Sequence, residues 1–171
     1  MEINSVDMSI CETQQMIYEL AVEQGYGMRT FLEQFLTSDF CRRAFDTIYS
    51  HYQFADAEEN FDFLIPEISD KISKNQSETD VFAGDIGYMY RLLYIMTSVP
   101  SAELSTIIPY QEMYKRAFVF QHYGFEECAE EIIEFYGLPL KKYNSDSPLL
   151  TDEEMTEIER KYSGEFTESN Q

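Results

Sequence analysis

Apolar residues recur at helical spacing along most of the chain, most densely from Val81 to Ser98. Two apolar stripes there leave only a narrow seam of Gly84, Gly87, Arg91 and Ser98. A helix that is apolar on nearly all sides is usually buried on most of them. This segment, about 81–98, is therefore predicted to be the central helix of an all-α domain. Its two glycines would let another backbone come close.

Amphipathic helices are predicted on both sides of the central helix. Apolar periodicity, capping residues and terminal Gly or Pro mark them. The predicted helices cover residues 12–24, 28–36, 39–52, 57–68, 101–107, 110–121 and 125–136. Pro66 is expected to bend or split its helix, and the polar run 73–80 is expected to be a loop. We thus expect a single compact multi-helix domain over residues 1–142.

The C-terminal tail, residues 143–171, has a different composition. It carries eight acidic residues against two basic ones and few apolar positions, so it is not expected to order alone. A capping box that begins at Thr151 predicts a short helix over 152–162. The thin apolar stripe of that helix is formed by Met155, Ile158 and Tyr162. We predict that this stripe contacts a partner.

The charge of the chain restricts its partners. The formal net charge is −20, from 32 acidic and 12 basic residues. Nucleic acid and anionic membranes are bound through basic surfaces, so neither is an expected partner. A basic protein is favoured, because opposite charges speed encounter and add specificity. The alternative is that the acidic residues only keep the protein in solution.

The sequence shows no arrangement that predicts catalysis or a cofactor. Cys11, Cys41 and Cys128 lie far apart, which favours buried thiols over disulfides or a zinc site. His51 and His122 lack ligand spacing, and the paired glutamates are typical of solvated helix faces rather than of a carboxylate metal site. The start of the chain does not resemble a signal peptide, and no stretch is apolar for 18 residues. We therefore expect a cytoplasmic protein without metal or cofactor.

Arg91 is the most distinctive single residue. A buried arginine requires a carboxylate or several carbonyls, because an unpaired buried charge is very costly. Asp62 or Glu67 of the helix 57–68 is the expected partner. The alternative is that Arg91 forms a partner-binding surface with Tyr88 and Tyr94, since Tyr and Arg are favoured at interfaces.

Two stretches carry a family resemblance. One contains Ser-Asp-Phe-Cys-Arg-Arg at residues 38–43 and leads to Asp-Phe-Leu-Ile-Pro-Glu-Ile at 62–68. The other contains Gly-Tyr-Met-Tyr-Arg-Leu-Leu-Tyr at 87–94 and leads to 97–104. Together they resemble small uncharacterised bacterial proteins encoded beside ADP-ribosyltransferase-like toxins, in toxin–antitoxin or phage-defence loci. The resemblance covers about residues 12–137 and implies an antitoxin-like binding role.

The predicted function is therefore that of a non-catalytic binding protein. We expect an antitoxin or accessory subunit that binds and neutralises a more basic protein. Two alternatives stay open. A phage- or plasmid-borne acidic inhibitor that mimics nucleic acid would need its carboxylates clustered on one face. A carboxylate- and metal-dependent enzyme would need a pocket with three converging acids.

Overall fold

The computed structural model describes residues 2–74, 81–141, 156–157 and 160, and the described chain is an all-α domain. The helices are α1 (Ser5–Glu23), α2 (Met28–Leu36), α3 (Asp39–Ala44), the 3₁₀ helix η1 (His51–Phe54), α4 (Ala57–Ile68), α5 (Ala83–Thr97), α6 (Ser101–Ile107), α7 (Tyr110–Ala117), α8 (Phe120–Tyr123) and α9 (Phe125–Tyr136). Within the described ranges, an isolated bridge between Tyr26 and Lys74 is the one β-type pairing.

Helix α5 lies at the centre of the domain, as its sequence predicts. All of its residues are buried except Tyr94, which is half-buried. Its most extensive packing is against α1. A Cβ atom added at Gly87 would lie 2.7 Å from the Tyr18 ring and 3.0 Å from the backbone oxygen of Gln14. The predicted close backbone approach is confirmed, and α1 is the helix that makes it.

Aromatic side chains fill the space between α1, α2 and α4. The ring of Tyr18 meets Phe31 and Phe35 edge to face, at centroid distances of 5.8 and 5.5 Å. Phe31 in turn stacks on Phe61 of α4, at 5.8 Å. Such pairs contribute about 0.5–1.5 kcal/mol beyond the area that they bury. The core therefore joins the N-terminal helices to α4 as well as to α5.

The predicted helix 39–52 is wrong. Helix α3 ends at Ala44, residues 45–50 form an irregular segment, and the chain then enters η1. Ile48 would lie on the apolar stripe of such a helix, but it is 50 % exposed. The Gln53 side chain donates to two backbone carbonyls of this segment, at 3.3 Å each. A polar side chain thus replaces the helical hydrogen bonds that these carbonyls would otherwise accept.

Three smaller predictions also need correction. Helix α1 begins earlier than predicted. The Asn4 side chain accepts a hydrogen bond from the backbone N–H of Asp7 and so caps the start of the helix. Pro66 does not split α4, since the hydrogen bond that it removes falls in the last turn. The helix predicted over 110–121 breaks after Ala117 and resumes at Phe120.

Two predicted features fall outside the described residues. They are the loop 73–80, of which only residues 73 and 74 are described, and the apolar tail stripe of Met155, Ile158 and Tyr162. Both stay predictions. In the part of the chain that the structure describes, no helix combines the length and apolarity needed to cross a membrane.

Candidate functional site

The Arg91 side chain is completely buried, at 0 % exposure. A guanidinium carries five N–H groups, and each has an acceptor in this structure. The acceptors are Gln14 Oε1 (2.7 Å), the Phe45 carbonyl (3.1 Å), Asp46 Oδ1 (2.9 Å), Cys41 Sγ (3.4 Å) and Ser101 Oγ (2.9 Å). We call this set the Arg91 network. Because its donors are all engaged, Arg91 retains no N–H group with which to bind a ligand.

The charged partner of Arg91 is Asp46, so the predicted partners Asp62 and Glu67 are wrong. The Asp46 carboxylate also accepts hydrogen bonds from the backbone N–H (2.8 Å) and the hydroxyl of Ser101. Ser101 is the first residue of α6, where backbone N–H groups lack partners within the helix. In a continuous helix over 39–52, the apolar stripe of Cys41, Phe45 and Tyr52 would leave Asp46 on the outer face. Once that helix ends at Ala44, Asp46 can turn inward.

Glu67 has a different structural role from the predicted one. Its two carboxylate oxygens accept from the backbone N–H groups of Asp39 (2.7 Å) and Phe40 (2.9 Å). The Ser38 hydroxyl accepts from the Cys41 N–H in the same turn. A side chain of α4 therefore caps α3 and fixes the two helices to each other.

Two aromatic rings complete the surroundings of the guanidinium. The Arg91 Cζ lies 5.3 Å from the Phe45 centroid and 5.0 Å from that of Tyr94, within cation–π range. Burial lowers the pKa of Arg91, but the Cys41 sulfur and the Asp46 carboxylate raise it by more, so the guanidinium stays charged. Burial raises the pKa of Cys41 to about 11. At neutral pH it is a thiol and a poor nucleophile.

The predicted Tyr88–Arg91–Tyr94 surface is only partly assembled. Arg91 and Tyr94 both line a small cavity of about 150 Å³, together with Ser98 and Lys141. Tyr88 is only 7 % exposed, and its ring packs on Phe125 of α9 at 4.4 Å. A partner-binding role for these residues stays a prediction. Tyr94 has the largest exposed fraction of the three.

A larger cavity lies on the other side of segment 45–50. It has a volume of about 460 Å³ and is bordered by α3, η1 and α4. Four aromatic side chains line it: Phe40, Tyr49, Tyr52 and Phe63. We call it the aromatic cleft. Sequence reasoning missed it, although Tyr49, Tyr52 and Phe54, set among polar residues, were a signal that could have drawn attention to it.

The rings of the aromatic cleft stand at steep angles to one another. Tyr52 meets Phe40 at 5.3 Å and 71°, and it meets Phe63 at 5.0 Å and 65°. Phe63 is 54 % exposed. Beside the cleft, Phe54 packs on Tyr49 at 6.0 Å and is itself half exposed. The cleft is therefore a concavity open to solvent in which aromatic rings alternate with polar and charged side chains. Exposed aromatic surface of this kind often binds another molecule.

Two basic side chains at the cleft contact carboxylates. Arg43 Nε lies 2.9 Å from an Asp39 oxygen. His51 Nε2 lies 2.8 Å from Glu59 Oε1. Glu67 also lines the cleft, and its carboxylate accepts from the backbone of α3. The exposed Glu58 and Asp62 line a separate cavity beside α1. The basic and acidic side chains at the cleft therefore occur in pairs.

Acidic side chains also lie where α1, α5 and α8 meet. The Asp85 carboxylate accepts two hydrogen bonds from the Gln121 amide, at 3.0 and 3.1 Å. The Glu19 side chain of α1 lies against Gly84, the residue that precedes Asp85 in α5. Burial raises the pKa of both carboxyl groups, and the Asp85 charge raises that of Glu19 further. Among the described residues, no three His, Cys, Asp or Glu side chains are grouped to hold a metal ion.

Comparison with known proteins gives no relative. No protein-family model matches the chain, and no curated protein or solved structure matches it. The resemblance to proteins encoded beside ADP-ribosyltransferase-like toxins stays a prediction.

Proposed function

We propose that the chain is a non-catalytic binding protein, an antitoxin or accessory subunit that binds a more basic protein partner in the cytoplasm. The observation that carries the proposal is the aromatic cleft, a solvent-exposed concavity with four aromatic side chains, on a strongly acidic chain. Aromatic side chains are enriched in the energetically important centres of protein interfaces. A net charge of −20 would speed encounter with a basic partner and disfavour acidic ones.

The state of the buried polar groups also supports binding over catalysis. The donors of Arg91 are all engaged within the fold, and the high pKa of Cys41 keeps its sulfur protonated at neutral pH. Neither group is poised to bind or attack a substrate. Both groups fit a structural role, in which they hold the fold that carries the surface.

Co-expression with the product of the neighbouring gene tests the proposal. We expect the two proteins to co-purify as a complex and the chain to relieve any toxicity of that product. Raising the salt concentration should weaken the complex, because exposed charges are screened. A chain that purifies alone as a monomer and leaves toxicity unchanged would contradict the proposal.

The predicted tail stripe supplies a second contact in this proposal. A chain truncated after residue 142 should keep the melting temperature of the full chain but bind the partner more weakly. The matched control is the full chain with Met155, Ile158 and Tyr162 replaced by Ser, which removes the apolar stripe and retains the tail charges. A large drop in melting temperature on truncation would show that the tail belongs to the fold.

A further inference from the structure

An open groove of about 570 Å³ lies between the C-terminal end of α1 and helix α4. More than half of its lining residues are apolar: Leu20, Tyr26, Phe61, Ile65 and Pro66. We call it the α1–α4 groove. Its charged lining residues are three exposed acids, Glu23 of α1 and Glu58 and Asp62 of α4. Among the described residues that line the groove, none is basic, in contrast to the aromatic cleft.

We infer that the α1–α4 groove binds a basic amphipathic segment of the partner, with apolar side chains on its floor and lysines or arginines at its acidic rim. The inference rests on the proposed function and adds a second contact surface to it. The occupant follows from charge complementarity, because carboxylates beside an apolar floor match cations beside apolar side chains. A second copy of this chain would instead bring a net charge of −20 to the same acids.

The acids of the groove occupy positions that do not stabilise their own helices. Glu23 is the last residue of α1, whose last turn holds no basic residue, although the C-terminal end of a helix favours cations. Glu58 and Asp62 are four residues apart on α4, and such like-charge pairs are mildly destabilising. Within residues 2–74 and 81–141, none of the three carboxylates forms an ion pair. Local rules broken in this way are typical of a functional surface.

The arrangement of the acids matches several cationic side chains rather than one metal ion. In the ranges that the structure describes, no three His, Cys, Asp or Glu side chains are close enough together to hold a metal. Lys74 lies over the Tyr26 ring, 5.5 Å from its centroid. One wall of the groove therefore already contacts an ammonium group within cation–π range. Lysines or arginines of a partner would find carboxylates on both helices.

A peptide titration tests the chemistry of the groove. The probe is a blocked, helix-forming peptide with leucines on one face and arginines beside them. One control peptide has citrulline for arginine, which removes the charge, and the other has alanine for leucine, which removes apolar surface. Each control should bind at least about fivefold more weakly than the probe, and NMR shift changes should centre on Phe61 and Ile65. Equal binding of either control, or shifts centred on another surface, would overturn the inference.

Charge reversals test the position of the acids rather than their number. Glu58→Lys with Asp62→Lys reverses the pair at the groove. Glu127→Lys with Glu131→Lys is the matched control, because these acids are also exposed, four residues apart and begin in the first turn of their helix. We expect the groove pair to weaken binding of the probe peptide at least about tenfold more than the control pair. Equal weakening would assign binding to the overall charge and overturn the inference.

Glu23→Gln separates a binding role from a structural one. Its melting temperature should equal or exceed that of the wild type, because the Glu23 carboxylate opposes the dipole of α1. Its affinity for the probe peptide should nevertheless fall about two- to threefold. Glu12→Gln, at an exposed position earlier on α1, is the control and should leave affinity unchanged. Unchanged affinity in Glu23→Gln would overturn the inference.

The same variants distinguish this inference from the proposed function. If the protein partner binds but Glu58→Lys with Asp62→Lys leaves its affinity unchanged, the inference fails and the proposed function stands. If no partner binds, the proposed function fails, and the peptide titrations still decide what the groove accepts. Light scattering tests the other occupant. A dimer of the wild-type chain that the same double variant dissociates would assign the groove to a second copy and overturn the inference.

Discussion

The Arg91 network and the aromatic cleft lie on opposite sides of segment 45–50. Thr47 and Tyr49 line the cavities on both sides. On one side a charged residue is fully enclosed, and its donors are all used within the fold. On the other side Phe63 is half exposed and Tyr49 and Tyr52 are partly exposed, whereas Phe40 is buried. Arg91, the most conspicuous polar residue of the sequence, therefore maintains the structure. The exposed surface at the cleft consists of aromatic residues that are less conspicuous in the sequence.

The two sides are also mechanically connected. Arg91 and Ser101 hold Asp46 from the inner side. Glu67 caps α3 from the outer side. The segment between these two attachments is therefore held at both ends, which would preorganise the walls of the cleft for the binding proposed above. Such preorganisation lowers the entropic cost of binding.

The largest expected effect is that of Arg91→Met. Removing the guanidinium leaves Asp46 with a buried charge that has lost its cationic partner, which should lower the free energy of unfolding by about 3–5 kcal/mol. Urea unfolding measures this. Arg43→Met, which removes an exposed arginine, should cost less than about 1 kcal/mol.

A double variant sharpens this prediction. Arg91→Met with Asp46→Asn removes both charges, so it should recover part of the stability that Arg91→Met loses. A loss under about 1 kcal/mol for Arg91→Met alone would show that the network does not stabilise the fold.

Gly87→Ala should have the next largest effect. The new Cβ would meet the Tyr18 ring and the Gln14 backbone, neither of which can move easily. It would also disturb the Gln14 amide, which donates to the Gly87 carbonyl and accepts from Arg91. We expect a loss of about 1–3 kcal/mol in urea unfolding.

Gly84→Ala is the matched control on the same helix. Its Cβ would meet the Glu19 side chain, which is exposed and can swing aside. Alanine also favours a helix over glycine by about 1 kcal/mol. Gly84→Ala should therefore stay within about 1 kcal/mol of the wild type, and equal losses at the two glycines would contradict our account of the α1–α5 contact.

Phe63→Ala should have a small effect on stability, because the side chain is half exposed and mainly contacts Tyr52. We expect a loss of no more than about 1.5 kcal/mol. Thermal unfolding would measure it beside Arg91→Met. A loss as large as that of Arg91→Met would break the distinction between a structural side and a binding side of segment 45–50.

The smallest expected effect is that of Glu19→Gln, at a contact that is neither fully buried nor fully exposed. Burial and the Asp85 charge raise the pKa of Glu19, so its ionised form opposes folding at neutral pH. Glu19→Gln should raise stability at pH 7 by up to about 1 kcal/mol. That gain should shrink as pH falls through the raised pKa and vanish below about pH 4, where the wild-type carboxyl is protonated.

Urea unfolding at pH 7 and below pH 4 measures this dependence. Glu12→Gln is the control, because it removes the same charge two turns earlier on α1 and should change stability less. A gain for Glu19→Gln that is the same at both pH values would show that its charge does not matter.

The sequence could predict the elements whose pattern is local. Helix α9 runs from Phe125 to Tyr136 as its amphipathic spacing predicts, and Gly137 ends it in a left-handed conformation, with φ of 63°. The apolar α5 is central for the same reason. In both helices, neighbours within one or two turns decide the structure.

The Arg91 network and the aromatic cleft could not be predicted, because they depend on contacts between residues that lie far apart in the chain. Asp46 turns inward because of Arg91, 45 residues away, and Ser101, 55 residues away. Without those partners, the apolar spacing of 39–52 resembles one helix. The aromatic cleft combines rings from α3, η1 and α4, so its assembly becomes visible only once segment 45–50 is known to be irregular.

The pairing of α1 with α5 has a consequence for synthesis of the chain. Gln14 and Arg91 are separated by 77 residues, and translation adds about 5–20 residues per second. The apolar face of α1 is therefore synthesised roughly 4–15 s before α5, the helix that covers it. During that interval the nascent chain is a client for chaperones that shield apolar segments. The rate of translation therefore determines how long that face stays uncovered.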